Sequence, residues 1–217
     1  MLIAYAPPTT PYLDILYQDD ALVVFNKPSG LLTVPGKAAE HRDSLEYRAR
    51  LVWPGIRVVH RLDMATSGIV VMALTADSQR ELNRQFQQRT TQKHYIACVS
   101  GRIESDVGTI DLPLICDWPN RPKQIVNYQY GKASLTHYQV LERHAESSRV
   151  KLTPITGRSH QLRVHMQWLG HPILGDKFYA TLTGYNAADR LLLHAEALAF
   201  NHPVLDKAMQ LFCPCPF

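Results

Sequence analysis

The sequence predicts an α+β fold, and three observations lead there. Strand-like and helix-like runs both occur along the 217 residues, but not as regularly alternating βα units. Two strand-like runs, "SLTHYQVLER" (134–143) and "SRVKLTPI" (148–155), follow one another closely and read as neighbours. Apolar residues make up 46% and charged residues 19%, which supports a substantial core and argues against global disorder.

Each element has its own signal. Asp19-Asp20 make an acidic turn, and Ala21 to Asn26 reads as a strand that ends at the turn Pro28-Ser29-Gly30. "HRDSLEYRARLV" (41–52) has a helical pattern, with Ser44 or Asp43 as N-cap. Val58-Val59 and Ile69 to Leu74 read as strands on either side of a short polar island. "TADSQRELNRQFQQRT" (75–90) is the strongest helix: Thr75 or Asp77 can cap it, and Leu82 and Phe86 repeat at i, i+4. "KHYIACVSG" (93–101) is strand-like, and the proline-rich "DLPLICDWPNRPKQ" (111–124) reads as an irregular loop. "TGRSHQLRVHMQWLGHP" (156–172) reads as a helix preceded by Thr156, with Gly170 at C′ and Pro172 preventing continuation.

Composition bounds the function. No apolar run approaches the ~18 residues that span a bilayer, so no membrane partner is expected. "MLIAYAPPTTPYLD" has neither a basic nor a long apolar region of the kind a signal peptide needs. Cys98 and Cys116 stand apart and Cys213 and Cys215 form a terminal C-x-C, which is no disulfide framework and fits a reducing cytoplasm. A metal site at that C-x-C lacks a His or Cys partner at zinc spacing, so no metal is expected. The net charge of +4 permits a polyanionic partner without requiring one.

Three places concentrate polar chemistry. The first is the island His60-Arg61-Leu62-Asp63-Met64-Ala65-Thr66-Ser67-Gly68. Arg61 and Asp63 can form a structural salt bridge in a tight turn. Alternatively, a guanidinium keeps the Asp63 carboxylate ionised as a nucleophile or base, typically by lowering its pKa ~1–3 units. The second is Lys93-His94-Tyr95, where Tyr95 is either a half-buried strand aromatic or a stacking ring and proton acceptor. The third holds Arg158, His160, Arg163 and His165, read either as a solvated basic face or as an anion site at a helix N-terminus. His160 and His165 are five apart, which is not zinc-binding helical spacing. Basic stretches Arg80/Arg84/Arg89/Lys93, Arg121/Lys123 and Arg158/Arg163 interleave with Phe86, Tyr95, Trp118 and Trp168. That mixture suits RNA whose bases are splayed out and stacked. No nucleotide-binding glycine loop, metal motif or serine elbow is present.

"HRLDMATSG" (60–68) resembles the H-R-L-D-x-x-T-S-G signature of the RluA-type pseudouridine synthases. Further blocks resemble that family in its order: "NKPSGL" (26–31), "QKHYIACV" (92–99), "GRSHQLRVH" (157–165), "GHPILGDKFY" (170–179) and "RLLLHA" (190–195). The resemblance runs from about Ile15 to Pro203. It implies residues 1–14 as an N-terminal extension, 15–203 as the catalytic domain and 204–217 as a C-terminal tail. The implied fold is a mixed, mostly antiparallel sheet flanked by helices, in two lobes around a central cleft.

The implied activity is isomerisation of uridine to pseudouridine in RNA, without cofactor or metal. The N-glycosidic bond breaks, the uracil turns, and C5 rejoins C1′. By the same resemblance Asp63 is the nucleophile, Tyr95 stacks on the uracil and moves the proton, and Arg163 pairs with Asp63 and keeps it ionised. Arg61 flips the target base, Leu192 or Leu193 walls the uracil pocket, and Arg158, His160 and His165 contact phosphate or merely support the site. Attack on the sugar, attack on the base and elimination to a glycal all remain compatible with these residues. Base flipping costs a few kcal/mol, least for an unpaired base, so a stem-loop target is physically sensible. "DLPLICDWPNRPKQ" and the chain length resemble family members acting on both large-subunit ribosomal RNA and a tRNA anticodon stem-loop.

About fifteen residues precede the first block, too few for an S4-type RNA-binding module, so selection of RNA is expected from the catalytic domain and the 117–124 loop. A monomer is expected. The alternatives are an RNA-binding module without catalysis, which would not need Asp63, and a glycosidase, which would show two carboxylates.

Overall fold

The computed structural model describes residues 5–217. The chain folds as two compact units. The first holds the chain up to Gln92 together with Ala195–Pro216, and the second holds Lys93–His194 and Phe217. The elements are β1 (Ile15–Gln18), β2 (Leu22–Lys27), α1 (Leu45–Arg50), β3 (Arg57–Val58), β4 (Ser67–Ala73), α2 (Ala76–Gln88), β5 (Gln92–Ser100) and β6 (Val107–Asp111). They continue as β7 (Leu114–Cys116), β8 (Gln124–Val126), β9 (Leu135–Arg143), β10 (Ser147–Pro154), α3 (Gln161–Trp168), α4 (Leu182–Asn186), β11 (Leu193–Asn201) and β12 (Ala208–Phe212).

In the first unit the strands run β1-β2-β4-β11, with β12 on β11 and the short β3 on β4. The β1–β2, β2–β4, β3–β4 and β11–β12 pairings are antiparallel. β2 and β4 carry the unbroken apolar runs Leu22–Phe25 and Ile69–Ala73, all buried, because both faces are covered. One face packs Leu22, Val24, Ile69, Val71 and Ala73 with Leu82 of α2 and with Leu198, Phe200 and Met209. Burying a leucine such as Leu82 contributes roughly 1.5–3 kcal/mol. Alternation sends Phe25 to the opposite face, where it meets Trp53 edge-on at 6.0 Å. The segment beyond residue 203 supplies β12, whose Met209 completes this core.

Capping follows the sequence. Of the two cap candidates for α2, Thr75 is used: its Oγ1 accepts from the Ser78 N–H at 3.1 Å. Ser44 caps α1 by accepting from the Tyr47 N–H at 3.1 Å.

In the second unit the order is β5-β10-β9-β6, again antiparallel in each pairing. Along β10, Ser148, Val150, Leu152 and Pro154 are buried and their neighbours half-buried, the period-2 pattern of a strand with one covered face.

Two elements depart from expectation. The 111–124 segment is not an irregular loop: β7 and β8 form an antiparallel hairpin with Cys116 opposite Gln124. Three-residue strands are too short to show alternation, and Pro119 and Pro122 lie in the connection between them. The third helix starts at Gln161 rather than just after Thr156. The Gln161 side chain accepts from Thr156 Oγ1 at 2.7 Å and from the Arg158 N–H at 3.0 Å, which folds 156–160 into a turn. His160 then lies in the left-handed region at φ 53°, outside the helix. The helix ends as expected, with Gly170 at φ 92° and the His171 N–H bonded to Met166 O at 2.9 Å. Among the described residues no helix is long and apolar enough to cross a membrane.

Candidate active site

In the first unit Asp63 sits half-buried on the loop between β3 and β4, and the residues around it are tied down. Thr33 Oγ1, 2% exposed, donates to Leu62 O at 2.7 Å and accepts from the Leu62 N–H at 3.1 Å. Lys27 is fully buried and donates its Nζ to Pro28 O, Leu31 O and Met64 O at 2.8, 2.7 and 3.1 Å. Gly30 N–H reaches Met64 O at 2.9 Å, and Ser29 Oγ donates to Ala65 O at 2.7 Å. A buried ammonium is costly unless its hydrogen bonds are satisfied, and here three carbonyls satisfy it. The "NKPSGLLT" segment is therefore a clamp on the loop that carries Asp63.

The rest of the motif is anchored to the sheet. His60 Nε2 accepts from the Val71 N–H at 3.1 Å, and its ring stacks on Phe86 at 4.7 Å. Gly68 has φ 110°, and a Cβ there would lie 2.3 Å from Ala195 O, so only glycine fits. Arg61 is exposed and forms no ion pair with Asp63 among the described residues. The tight-turn salt bridge that composition suggested is absent.

In the second unit Arg163 is 3% exposed on α3. Its Nε and Nη2 donate to the two oxygens of Asp176, each at 2.7 Å. Asp176 Oδ1 also accepts from the N–H groups of Phe178 and Tyr179, at 2.9 and 3.2 Å. The guanidinium lies 5.3 Å from the Phe178 ring centre and 5.1 Å from that of Tyr179. This fork fixes the side chain in one orientation, as bidentate pairs do. His160 meets Tyr179 Oη at 2.7 Å and stacks on Phe178 at 5.8 Å. Tyr179 Oη in turn accepts from the Gln124 N–H at 2.8 Å.

Tyr95 is half-buried on β5, opposite Leu152. Leu192 is half-buried, its N–H bonded to Leu174 O at 3.0 Å and its carbonyl to the Cys98 N–H at 3.2 Å. Leu193 is buried and Arg158 exposed.

Three expectations are corrected here. Arg163 and His165 are not part of a solvated basic face: His165 is fully buried, within 2.9 Å of Thr136 Oγ1 and 3.2 Å of Ser134 Oγ. Burial pushes its pKa below the usual 6.5, so it is a neutral core histidine rather than a phosphate ligand. Phe86 stacks on His60 and packs against the core, which uses it internally. On α2, Arg80 pairs with Asp77 at 2.9 Å and Arg84 with Glu81 at 2.6 Å, so that basic stretch is partly neutralised. The helix registers i, i+3 place these partners together.

Sequence reasoning missed Asp176, Thr33 and Ser29. The carboxylate in "GHPILGDKFY" was visible, but nothing in its spacing from Arg163 announces a pair. At the C-x-C, burial pushes the Cys213 thiol up to about 11, so it stays protonated at neutral pH.

Comparison with known proteins places the chain in a family. The RNA pseudouridylate synthase family profile matches residues 21–168. The chain belongs to the RNA pseudouridine synthases, within them to the RluA type, and is an isomerase. It is 56% identical over 214 residues to the dual-specificity RNA pseudouridine synthase RluA of Escherichia coli (strain K12), covering 98% of both chains. To the protein of the same name from Pasteurella multocida (strain Pm70) it is 53% identical over 217 residues, covering 100% of this chain and 99% of that one. Among solved structures, Human RNA Pseudouridylate Synthase Domain Containing 1 aligns with a TM-score of 0.80 at 31% identity, over 98% of this chain and 87% of that one. The α+β class and the pseudouridine synthase fold expected from the sequence are borne out.

Proposed function

We propose that this chain converts a uridine to pseudouridine in a large-subunit rRNA stem-loop and in a tRNA anticodon stem-loop, as a cytoplasmic monomer. The observation that carries the reading is near-full-length identity above 50% to synthases named for dual specificity. RNA binding without catalysis is not favoured: a half-buried carboxylate on a loop clamped by Lys27, Ser29 and Thr33 has no purpose in a passive binder.

In this proposal Asp63 is the nucleophile, and the clamp holds it so that little ordering is left to pay at the transition state. Arg163, oriented by Asp176, keeps the carboxylate ionised. Tyr95 stacks on the uracil and moves the proton. Arg61, exposed on the loop, flips the target base and fills its place. Leu192 or Leu193 walls the uracil, and Arg158 and His160 serve the RNA backbone. The atoms balance internally: N1–C1′ breaks, C5–C1′ forms, and the proton on C5 is lost as one is gained at N1. No redox partner or group donor enters this sum.

The test is release of tritium from 5-tritiated uridine in RNA, with no added cofactor. The wild-type chain should release it, and Asp63→Asn should bind the same RNA while releasing none. Wild-type turnover by Asp63→Asn would remove Asp63 as the nucleophile. Mapping of pseudouridine in cells lacking the protein tests the substrates: sites should vanish from both rRNA and tRNA.

A further inference from the structure

The hairpin formed by β7 and β8 leads into a turn that the catalytic reading leaves unexplained. Residues 127–131, "NYQYG", are pinned at both ends. The Asn127 N–H bonds to Pro113 O at 2.9 Å, and Leu114 and Lys132 exchange backbone hydrogen bonds of 3.0 and 2.8 Å. Asn127 Oδ1 accepts from the N–H groups of Gln129 and Tyr130 at 3.0 and 2.7 Å, and the Gly131 N–H closes the turn onto Asn127 O at 2.9 Å. A Cβ on Gly131 would lie 2.2 Å from Asn127 O, so the turn demands glycine.

This rigid turn displays rings to water. Tyr128 is 73% exposed and Tyr130 68%, and neither ring packs on another among the described residues. At the other end of the hairpin, beyond the Cys116–Gln124 pair, Trp118 is 65% exposed, with the Arg121 guanidinium 4.6 Å from its ring centre. Residues 117–133 hold Arg121, Lys123 and Lys132 and a single carboxylate, Asp117, which accepts from the Asn120 side-chain amide at 2.9 Å. Two exposed rings on one ordered turn mark an interaction surface. Cations in excess of carboxylates beside such rings select a polyanion with flat faces. Nucleobases stack on aromatic rings whatever their sequence, while cations track the phosphates.

We infer that Tyr128 and Tyr130 form a stacking surface for unpaired bases of the RNA substrate, with Lys132 on an adjoining phosphate. The inference rests on the proposed RNA substrate and adds a second place of contact outside the residues assigned to the chemistry. Because the turn is already ordered, little conformational entropy is lost when a base docks.

Filter binding of two RNAs tests it: a stem-loop with an unpaired loop, and a blunt duplex of the same length. Tyr128→Ala/Tyr130→Ala should weaken stem-loop binding about 5- to 100-fold and duplex binding little. The Phe pair should restore binding and the Leu pair should not, since stacking needs a ring rather than mere apolarity. The slope of log affinity against log salt should be unchanged in the tyrosine variants and fall by about 1 in Lys132→Ala. All these side chains are exposed, so thermal melting should not move. Equal binding by the Ala pair and wild type, rescue by Leu, or equal loss on both RNAs would overturn the surface. So would a concentration-dependent dimer that the Ala pair abolishes in sedimentation while RNA affinity holds. These readouts are separate from tritium release, so failure of the stacking surface leaves the catalytic proposal standing, and the reverse also holds.

Discussion

Gly68 shows how much one position can decide. Its φ of 110° and the 2.3 Å approach of Ala195 O exclude any side chain. Gly68→Ala should cost about 3 kcal/mol, as overpacking against a fixed backbone does, and lower the melting temperature accordingly. Thr33 works by chemistry rather than space. Thr33→Val keeps the shape but strands both backbone groups of Leu62, a loss of about 1–3 kcal/mol. Turnover should fall with it, while Thr33→Ser should keep both. A normal rate in Thr33→Val would detach the clamp from catalysis. Asp176→Ala leaves Arg163 as a buried charge without its fork, which costs about 3–5 kcal/mol and shows as a melting shift.

At the scale of elements, α3 carries a pH signature. Its buried His165 has a folded pKa depressed below 6.5 by burial, so the unfolded chain takes up the proton first as pH falls. The stability from a neutral His165 is therefore complete above about pH 6.5 and is lost as pH falls from there toward the folded value. Denaturant midpoints between neutral and mildly acid pH should show this slope, and His165→Gln should flatten it. An unchanged slope would assign it to other groups. The β7–β8 hairpin and the turn behind it make the opposite point. The hairpin anchors through Leu114 and Val126, which pack with Val164 and Tyr179, while the turn leaves Tyr128 and Tyr130 in water, as recognition loops on a rigid scaffold do.

For the molecule, net charge sets the expectation of salt-sensitive binding. RNA affinity should fall steeply between low and physiological salt as counterions are released, and a flat profile would count against a phosphate-tracking surface. The two ends of the chain matter at this scale too. The segment after 203 adds β12 to the first unit, and Phe217 lies in the second, where its carbonyl accepts from Arg149. Asp19 joins β1 to the same end of the chain. Burial alone would raise its pKa, but hydrogen bonds from Tyr17, the Ala21 and Leu22 N–H groups and His202 hold it below the usual carboxylate value.

The sequence by itself determined the long elements and the family. α2 was legible because thirteen residues repeat an apolar period after a capping threonine, and β2 and β4 because buried strands need unbroken apolar runs. The ordered motif blocks then singled out Asp63, Tyr95 and Arg163 as candidates. Only the tertiary structure decided what each polar side chain does. Asp176 completes a fork with an arginine thirteen residues away, Thr33 clamps a loop twenty-nine residues away, and His165 disappears into the core. Local patterns report period and capping, which are properties of neighbours along the chain. Ion pairs, clamps and burial depend on which distant segments the fold brings together, and no spacing in the sequence encodes that.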